Sequence, residues 1–200
     1  MRKYLLLLLM SAAISSSAQI KTLVVGQSAP FFTLRNVDNK LISFNSYPKA
    51  KGFIIVFTCN TCPVAKAYEQ RIIELGKKMA PLGYPVLAVN PNDADISSGD
   101  SFAKMQARAK DKNYPFPYLY DAGQRVTNMY GATKTPQLFI AQKTKKGLII
   151  QYTGAIDDDQ ELENPGRTKY VERAVAALNA NKLPAIKATK AIGCSVKRAD

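Results

Sequence analysis

The chain has 200 residues, a formal net charge of +13, three cysteines and no histidine. That length suits one domain with a buried core, and three cysteines without a histidine exclude a four-ligand zinc site unless carboxylates join it. The lysine clusters at Lys77-Lys78, Lys143 to Lys146 and the tail lack interleaved aromatics; they read as solvated surface, with no nucleic-acid signature.

At the N-terminus, Arg2 and Lys3 precede an apolar run from Tyr4 to Ile14, and Ser16-Ser17-Ala18 supplies the small residues that signal peptidase prefers. Residues 1–18 are expected to be a cleaved secretory signal. The apolar run is shorter than the ~20 residues a helical span needs, so no stable membrane span is expected after removal. The mature protein is expected outside the inner membrane, in the periplasm if the source is Gram-negative. Next, Phe31 to Asn36 and Leu41 to Phe44 flank Val37-Asp38-Asn39-Lys40 and predict a β-hairpin that extends the edge of the fold.

Phe53 to Phe57 is apolar at every position, which suits a strand covered on both faces of a parallel sheet. A helical period follows. Val64, Tyr68, Ile72, Leu75 and Met79 share a stripe, and Pro63 falls in the first turn, where its missing N–H has no intrahelical partner to lose. Cys59 and Cys62 therefore lie at the strand-to-helix turn, where free backbone N–H groups and the helix dipole favour a thiolate. Three-residue spacing lets their sulfurs meet, so the pair predicts reversible dithiol–disulfide exchange. Cys59 is expected to be the more exposed sulfur and the nucleophile, with Cys62 resolving the mixed disulfide. As a staple, so short a loop would constrain little of the unfolded chain.

Ala80-Pro81-Leu82-Gly83 ends that helix, and Val86 to Val89 predicts a second buried strand parallel to the first. The loop from Asn90 to Gly99 then lies beside the cysteines. Asp100 to Lys110 reads as a polar helix, Tyr114 to Tyr120 as an aromatic core segment, and Gly123 to Tyr130 as a short helix ended by Gly131. Pro136 opens a strand over Leu138 to Ala141, and Leu148 to Thr153 is its antiparallel partner. Asp157 to Asp159 reads as the acidic lead-in to a helix over Thr168 to Asn179, and no metal site is expected there. The sequence leaves open whether Cys194 is an auxiliary thiol reaching toward Cys59, an intermolecular anchor or an idle group.

A strand, then CNTCP from Cys59 to Pro63, then a long amphipathic helix resembles the active site of the thioredoxin fold. The mature chain is similar to its redoxin branch, the alkyl hydroperoxide reductase/thiol-specific antioxidant-like proteins. GQSAPFFTL (Gly26 to Leu34), TPQLFIA (Thr135 to Ala141), YTGAIDD (Tyr152 to Asp158) and AIGCSVK (Ala191 to Lys197) support the likeness, the last resembling a peroxiredoxin-like subgroup with a CxxC. The resemblance implies a three-layer α/β/α sandwich with a central mixed sheet over residues 19–185, followed by a basic tail at 186–200 that carries Cys194. It also implies a cis bond before Pro136, with Thr135 and Pro136 forming the substrate platform.

The function expected is an exported thiol–disulfide oxidoreductase. Its partners are protein thiols or disulfides and an upstream dithiol reductant, and it needs no cofactor beyond a redox-active Cys59–Cys62 disulfide. A thiol-dependent peroxidase acting on hydroperoxides is the first alternative. A redox-inert binding module or soft-metal carrier is the second. The departures count against a peroxidase: Val56 stands three residues before Cys59 and Cys59 three before Cys62, so neither cysteine has the threonine of typical peroxiredoxins, and Arg71 and Arg125 have no assigned place. The apolar strand also lacks the buried aspartate of many thioredoxins, so no general base is evident, and Glu69 lies well along the helix.

Overall fold

The apolar run at 53–57 forms a strand with every residue buried, as its composition demands, and the other elements are arranged about it. The computed structural model describes residues 20–161 and 163–199; the expected signal at 1–18 lies outside the described residues. In chain order the elements are β1 (Thr33–Asn36), β2 (Leu41–Ser43), β3 (Gly52–Phe57), α1 (Pro63–Met79), β4 (Val86–Asn90), α2 (Phe102–Asp111), β5 (Tyr118–Tyr120), α3 (Arg125–Tyr130), β6 (Lys134–Thr135), β7 (Gln137–Thr144), β8 (Gly147–Gly154), α4 (Tyr170–Asn179) and β9 (Cys194–Ser195).

Seven strands form one mixed sheet in the order β2-β1-β5-β4-β3-β7-β8. The pairs β3/β4 and β4/β5 are parallel, and β3/β7 and β7/β8 are antiparallel. The hairpin β1/β2 joins through β5 at the edge, where the sequence placed it. Side chains alternate across β3, so its two faces serve two cores. Ile54 and Val56 pack against Tyr68, Ile72 and Leu75 of α1 and Val171 and Val175 of α4. Phe53, Ile55 and Phe57 pack against Phe32, Phe44, Val126 and Tyr130 in the opposite layer. Helix α2 joins through Met105 and Ala109, which meet Ala88 and Tyr118. The architecture is the expected α/β/α sandwich.

Three places differ from the sequence expectation. The helix expected from Asp100 begins at Phe102, and residues 98–100 form a 3-10 turn that turns Asp100 into the interior. Asp157 and Asp159 do not merely lead into a helix. Their carboxylates pair with Arg71 of α1 at 2.8 and 2.7 Å, and Arg167 adds a bond to Asp157 at 3.0 Å, because a charge buried in this crevice must be neutralised. Finally, β6 and β9 form a separate two-stranded sheet; strands of two residues have no periodicity to read.

Ile140 of β7 is fully buried opposite Ile54. Replacing it with alanine is expected to cost about 2–5 kcal/mol in urea unfolding through lost burial and the cavity left behind. A loss below about 1 kcal/mol would place that face of the sheet outside the core.

Candidate active site

The loop joining β3 to α1 leaves the sheet after Thr58, whose N–H donates to Val89 O at 2.9 Å. Cys62 is the N-cap of α1, with an extended backbone, and Pro63 takes the first helical position. The Cys62 sulfur accepts the Ala65 N–H at 3.4 Å and its thiol donates to Thr135 O at 3.2 Å. The Cys59 thiol donates to Thr135 Oγ1 at 3.3 Å. Both sulfurs thus converge on one residue, and the bond from Thr135 to Pro136 is cis. Cys194 completes the group. It is the register partner of Thr135 in the β6/β9 pair and packs against Cys59 and Cys62, and all three thiols are free.

The expected difference in exposure is absent: Cys59 is 5 % exposed and Cys62 3 %. The tail strand lies against the turn, which sequence spacing could not reveal. The expected order of acidity is also reversed. Burial pushes the Cys59 thiol up, the Thr135 hydroxyl offsets only part of this, and the negative charge of Asp100 adds to the rise. Burial acts on Cys62 in the same sense but is outweighed by hydrogen bonds from the Cys194 thiol and the Ala65 N–H, which hold Cys62 below the ordinary thiol value.

Asp100 is the positioning residue that sequence reasoning missed. Its carboxylate is fully buried and accepts five donors: Asn60 N at 2.6 Å, Thr61 Oγ1 at 2.6 Å, Ser97 Oγ at 2.7 Å, Asn92 Nδ2 at 2.8 Å and Asn90 Nδ2 at 3.1 Å. Two of these belong to the residues between the cysteines, so the carboxylate fixes the turn that presents them. Gly99 permits the approach, since a Cβ there would lie 2.7 Å from the Thr61 methyl. Burial alone would raise the Asp100 pKa; the hydrogen bonds from Asn92, Thr61 and Ser97 reverse this and hold the group below the usual carboxylate value. The only sequence signal was the polarity of Asn90, Asn92 and Ser97 in a loop already placed beside the cysteines.

Behind Cys59 lies a cavity of about 10 Å³, on the scale of a single water, lined by Thr58, Glu69, Arg108 and Tyr114 among others. Glu69, well along α1, reaches this wall and accepts hydrogen bonds from Arg108 and from Tyr114 Oη, the latter at 2.9 Å. Of the arginines left unplaced by the sequence, Arg71 is committed to Asp157 and Asp159, and Arg125 is exposed on α3, beside Met129. Among the described residues no group of three or more His, Cys, Asp or Glu side chains is arranged to hold a metal ion.

A mixed sheet between helices, with two cysteines at a strand-to-helix turn facing a cis-proline, defines a thioredoxin-fold protein of the thiol-redox type. The AhpC/TSA family model matches residues 25–164, and the chain belongs to that family. An uncharacterized conserved protein from Geobacillus kaustophilus is similar at 31 % identity and a TM-score of 0.80, covering 91 % of this chain and 94 % of its own. A hypothetical protein from Sinorhizobium meliloti matches at 26 % identity and a TM-score of 0.82, covering 90 % and 97 %. The exposed lipoprotein thioredoxin of Streptococcus pneumoniae shares the fold at 24 % identity and a TM-score of 0.52, over 67 % of this chain and 96 % of its own. No curated protein matches the chain.

Because the Asp100 pKa is depressed in the folded state, its stabilisation is complete above the unfolded value near about 3.9 and is lost as pH falls through the lower folded value. Asp100→Asn is expected to lose about 1–3 kcal/mol near neutral pH in urea unfolding, with the gap from wild type narrowing as pH falls below the ordinary carboxylate value. In ultraviolet thiolate titration the variant should ionise Cys59 at lower pH. A gap that stays constant with pH, or an upward shift of Cys59, would contradict this role.

Proposed function

We propose that this protein is an exported thiol–disulfide oxidoreductase that exchanges disulfides with protein substrates through Cys59 and Cys62. The observation that carries the reading is the convergence of both sulfurs on Thr135, at 3.3 and 3.2 Å. A substrate strand aligned on Thr135 and Pro136 would meet Cys62, the sulfur held toward the thiolate. The Cys62 thiolate attacks one substrate sulfur, a mixed disulfide forms, and the other substrate sulfur leaves with the electron pair and takes a proton. Cys59 then gives up its proton and attacks the Cys62 sulfur, closing the Cys59–Cys62 disulfide and releasing the reduced substrate. An upstream dithiol returns the pair to its reduced form. On this reading Cys62 makes the first attack and Cys59 closes the bond, the reverse of the order expected from the sequence.

Export rests on the character of residues 1–18. Among the described residues no helix is long and apolar enough to cross a membrane. Hydroperoxide reduction draws less support. Val56 stands three residues before Cys59 and Cys59 three before Cys62, so neither sulfur has the peroxide-orienting threonine; Arg71 is held by two aspartates, and Arg108, at the Cys59 cavity, is held by Glu69. These side chains are spent on neighbours rather than aimed at a sulfur.

The test removes one thiol at a time from the mature chain in a Cys194→Ser background. Dithiol-driven reduction of a protein disulfide should fall about a hundredfold or more in both Cys59→Ser and Cys62→Ser. Cys59→Ser should accumulate mixed disulfides on Cys62, resolved by non-reducing electrophoresis. Rapid turnover of hydrogen peroxide with slow protein-disulfide reduction would overturn the assignment in favour of a peroxidase.

A further inference from the structure

The basic tail is bound across the site. Thr189 N–H donates to Thr153 O at 3.0 Å, the Thr189 and Tyr152 hydroxyls are 2.7 Å apart, Val196 N–H donates to Thr133 O at 3.1 Å, and Lys197 N–H donates to Asn92 Oδ1 at 2.9 Å. Between these anchors, β9 takes the free edge of β6, with Cys194 opposite Thr135. Gly193 makes that approach possible. Its φ is +157°, and a Cβ there would lie 2.0 Å from Thr135 O. Cys194 therefore occupies the position that an incoming strand would need, and it packs against the cluster of Cys59, Cys62 and Ala65 at the start of α1.

We propose that Cys194 is an internal exchange partner of the site, attacking the Cys62 sulfur of the Cys59–Cys62 disulfide to form a Cys62–Cys194 disulfide. This deepens the exchange reading and rests on it. Cys194 gives up its proton and bonds to the Cys62 sulfur. The Cys59–Cys62 bond breaks, and Cys59 leaves with the electron pair and takes up a proton, so one disulfide replaces another with no added oxidant. The result is a chain whose tail is locked onto β6 while Cys59 is a free thiol again. A protein substrate reaches the site only after this bond is reduced and β9 is displaced, so the same tail that accepts the disulfide also governs access to it.

The site can be read directly, because Cys59 and Cys62 share one tryptic peptide, 52–66, and Cys194 lies in another, 191–197. The mature chain is oxidised with glutathione disulfide, quenched in acid, alkylated and digested. The expected product is 52–66 joined to 191–197, with the alkyl group on Cys59. Cys59→Ser should give the same joined peptides within a monomer. Gly193→Ala keeps all three thiols but pushes the tail away, and the joined product should fall by about tenfold or more as the local concentration of Cys194 is lost.

Failure to find the joined peptides in Cys59→Ser, under conditions that oxidise wild type, would overturn the inference. So would a Cys194 bond found solely between chains. Cys194→Ser separates the two readings: if it still closes Cys59–Cys62 while wild type shows no joined product, the tail inference alone fails, and if it closes no bond, the exchange reading fails.

Discussion

Thr135 makes contact with every cysteine in the chain. Its hydroxyl receives the Cys59 thiol, its carbonyl receives the Cys62 thiol, and its position in the β6/β9 pair is opposite Cys194. Chain direction explains why one residue can do this. Thr135 stands two residues before β7, and β7 is hydrogen-bonded along β3, the strand that ends at the cysteine turn. The register of β3 against β7 therefore fixes the distance between Thr135 and the sulfurs. A core of apolar residues on both faces of that strand pair holds the register, since a slip by one residue would send every side chain to the wrong face.

The chemistry of the turn is set by opposed local charges. An N-capping sulfur benefits from free N–H groups at the start of α1, whereas Cys59, three residues earlier, shares its surroundings with a buried carboxylate. Asp100 is retained there because its five donors offset the cost of burying a charge, and two of those donors hold the backbone and hydroxyl between the cysteines. The same group that orders the turn thus biases which sulfur ionises. In a site where thiolate fraction controls exchange rates, position and reactivity are set by one interaction.

Much of this was legible in the residues. The unbroken apolarity of 53–57, the stripe on α1, Pro63 after Cys62 and the hairpin around Val37 to Lys40 each stated a local preference that tertiary structure had no reason to override. The features that escaped were those made by residues distant in sequence. Asp100 looked like the start of a polar helix, because nothing local distinguishes a solvated aspartate from one that meets Asn60 and Thr61 across the site. Arg71 looked unassigned until Asp157 and Asp159 arrived from beyond β8. Lysines around Cys194 suggested a loose end, yet Gly193, Val196 and Thr189 carry the contacts that bind the tail while the lysine head groups stay in water. The burial of Cys59 escapes a local reading for the same reason: the covering strand comes from the far end of the chain.

The central claim is that two of the three sulfurs exchange a bond within one chain. A count of alkylatable thiols on the protein, equilibrated across a series of glutathione redox buffers, tests it directly. The account predicts three thiols at the reducing end and one at the oxidising end, joined by a single two-electron transition at a midpoint within roughly −270 to −120 mV, with the chain monomeric throughout. Three thiols retained across the whole series, or the loss of one thiol per chain with formation of disulfide-linked dimers, would contradict it.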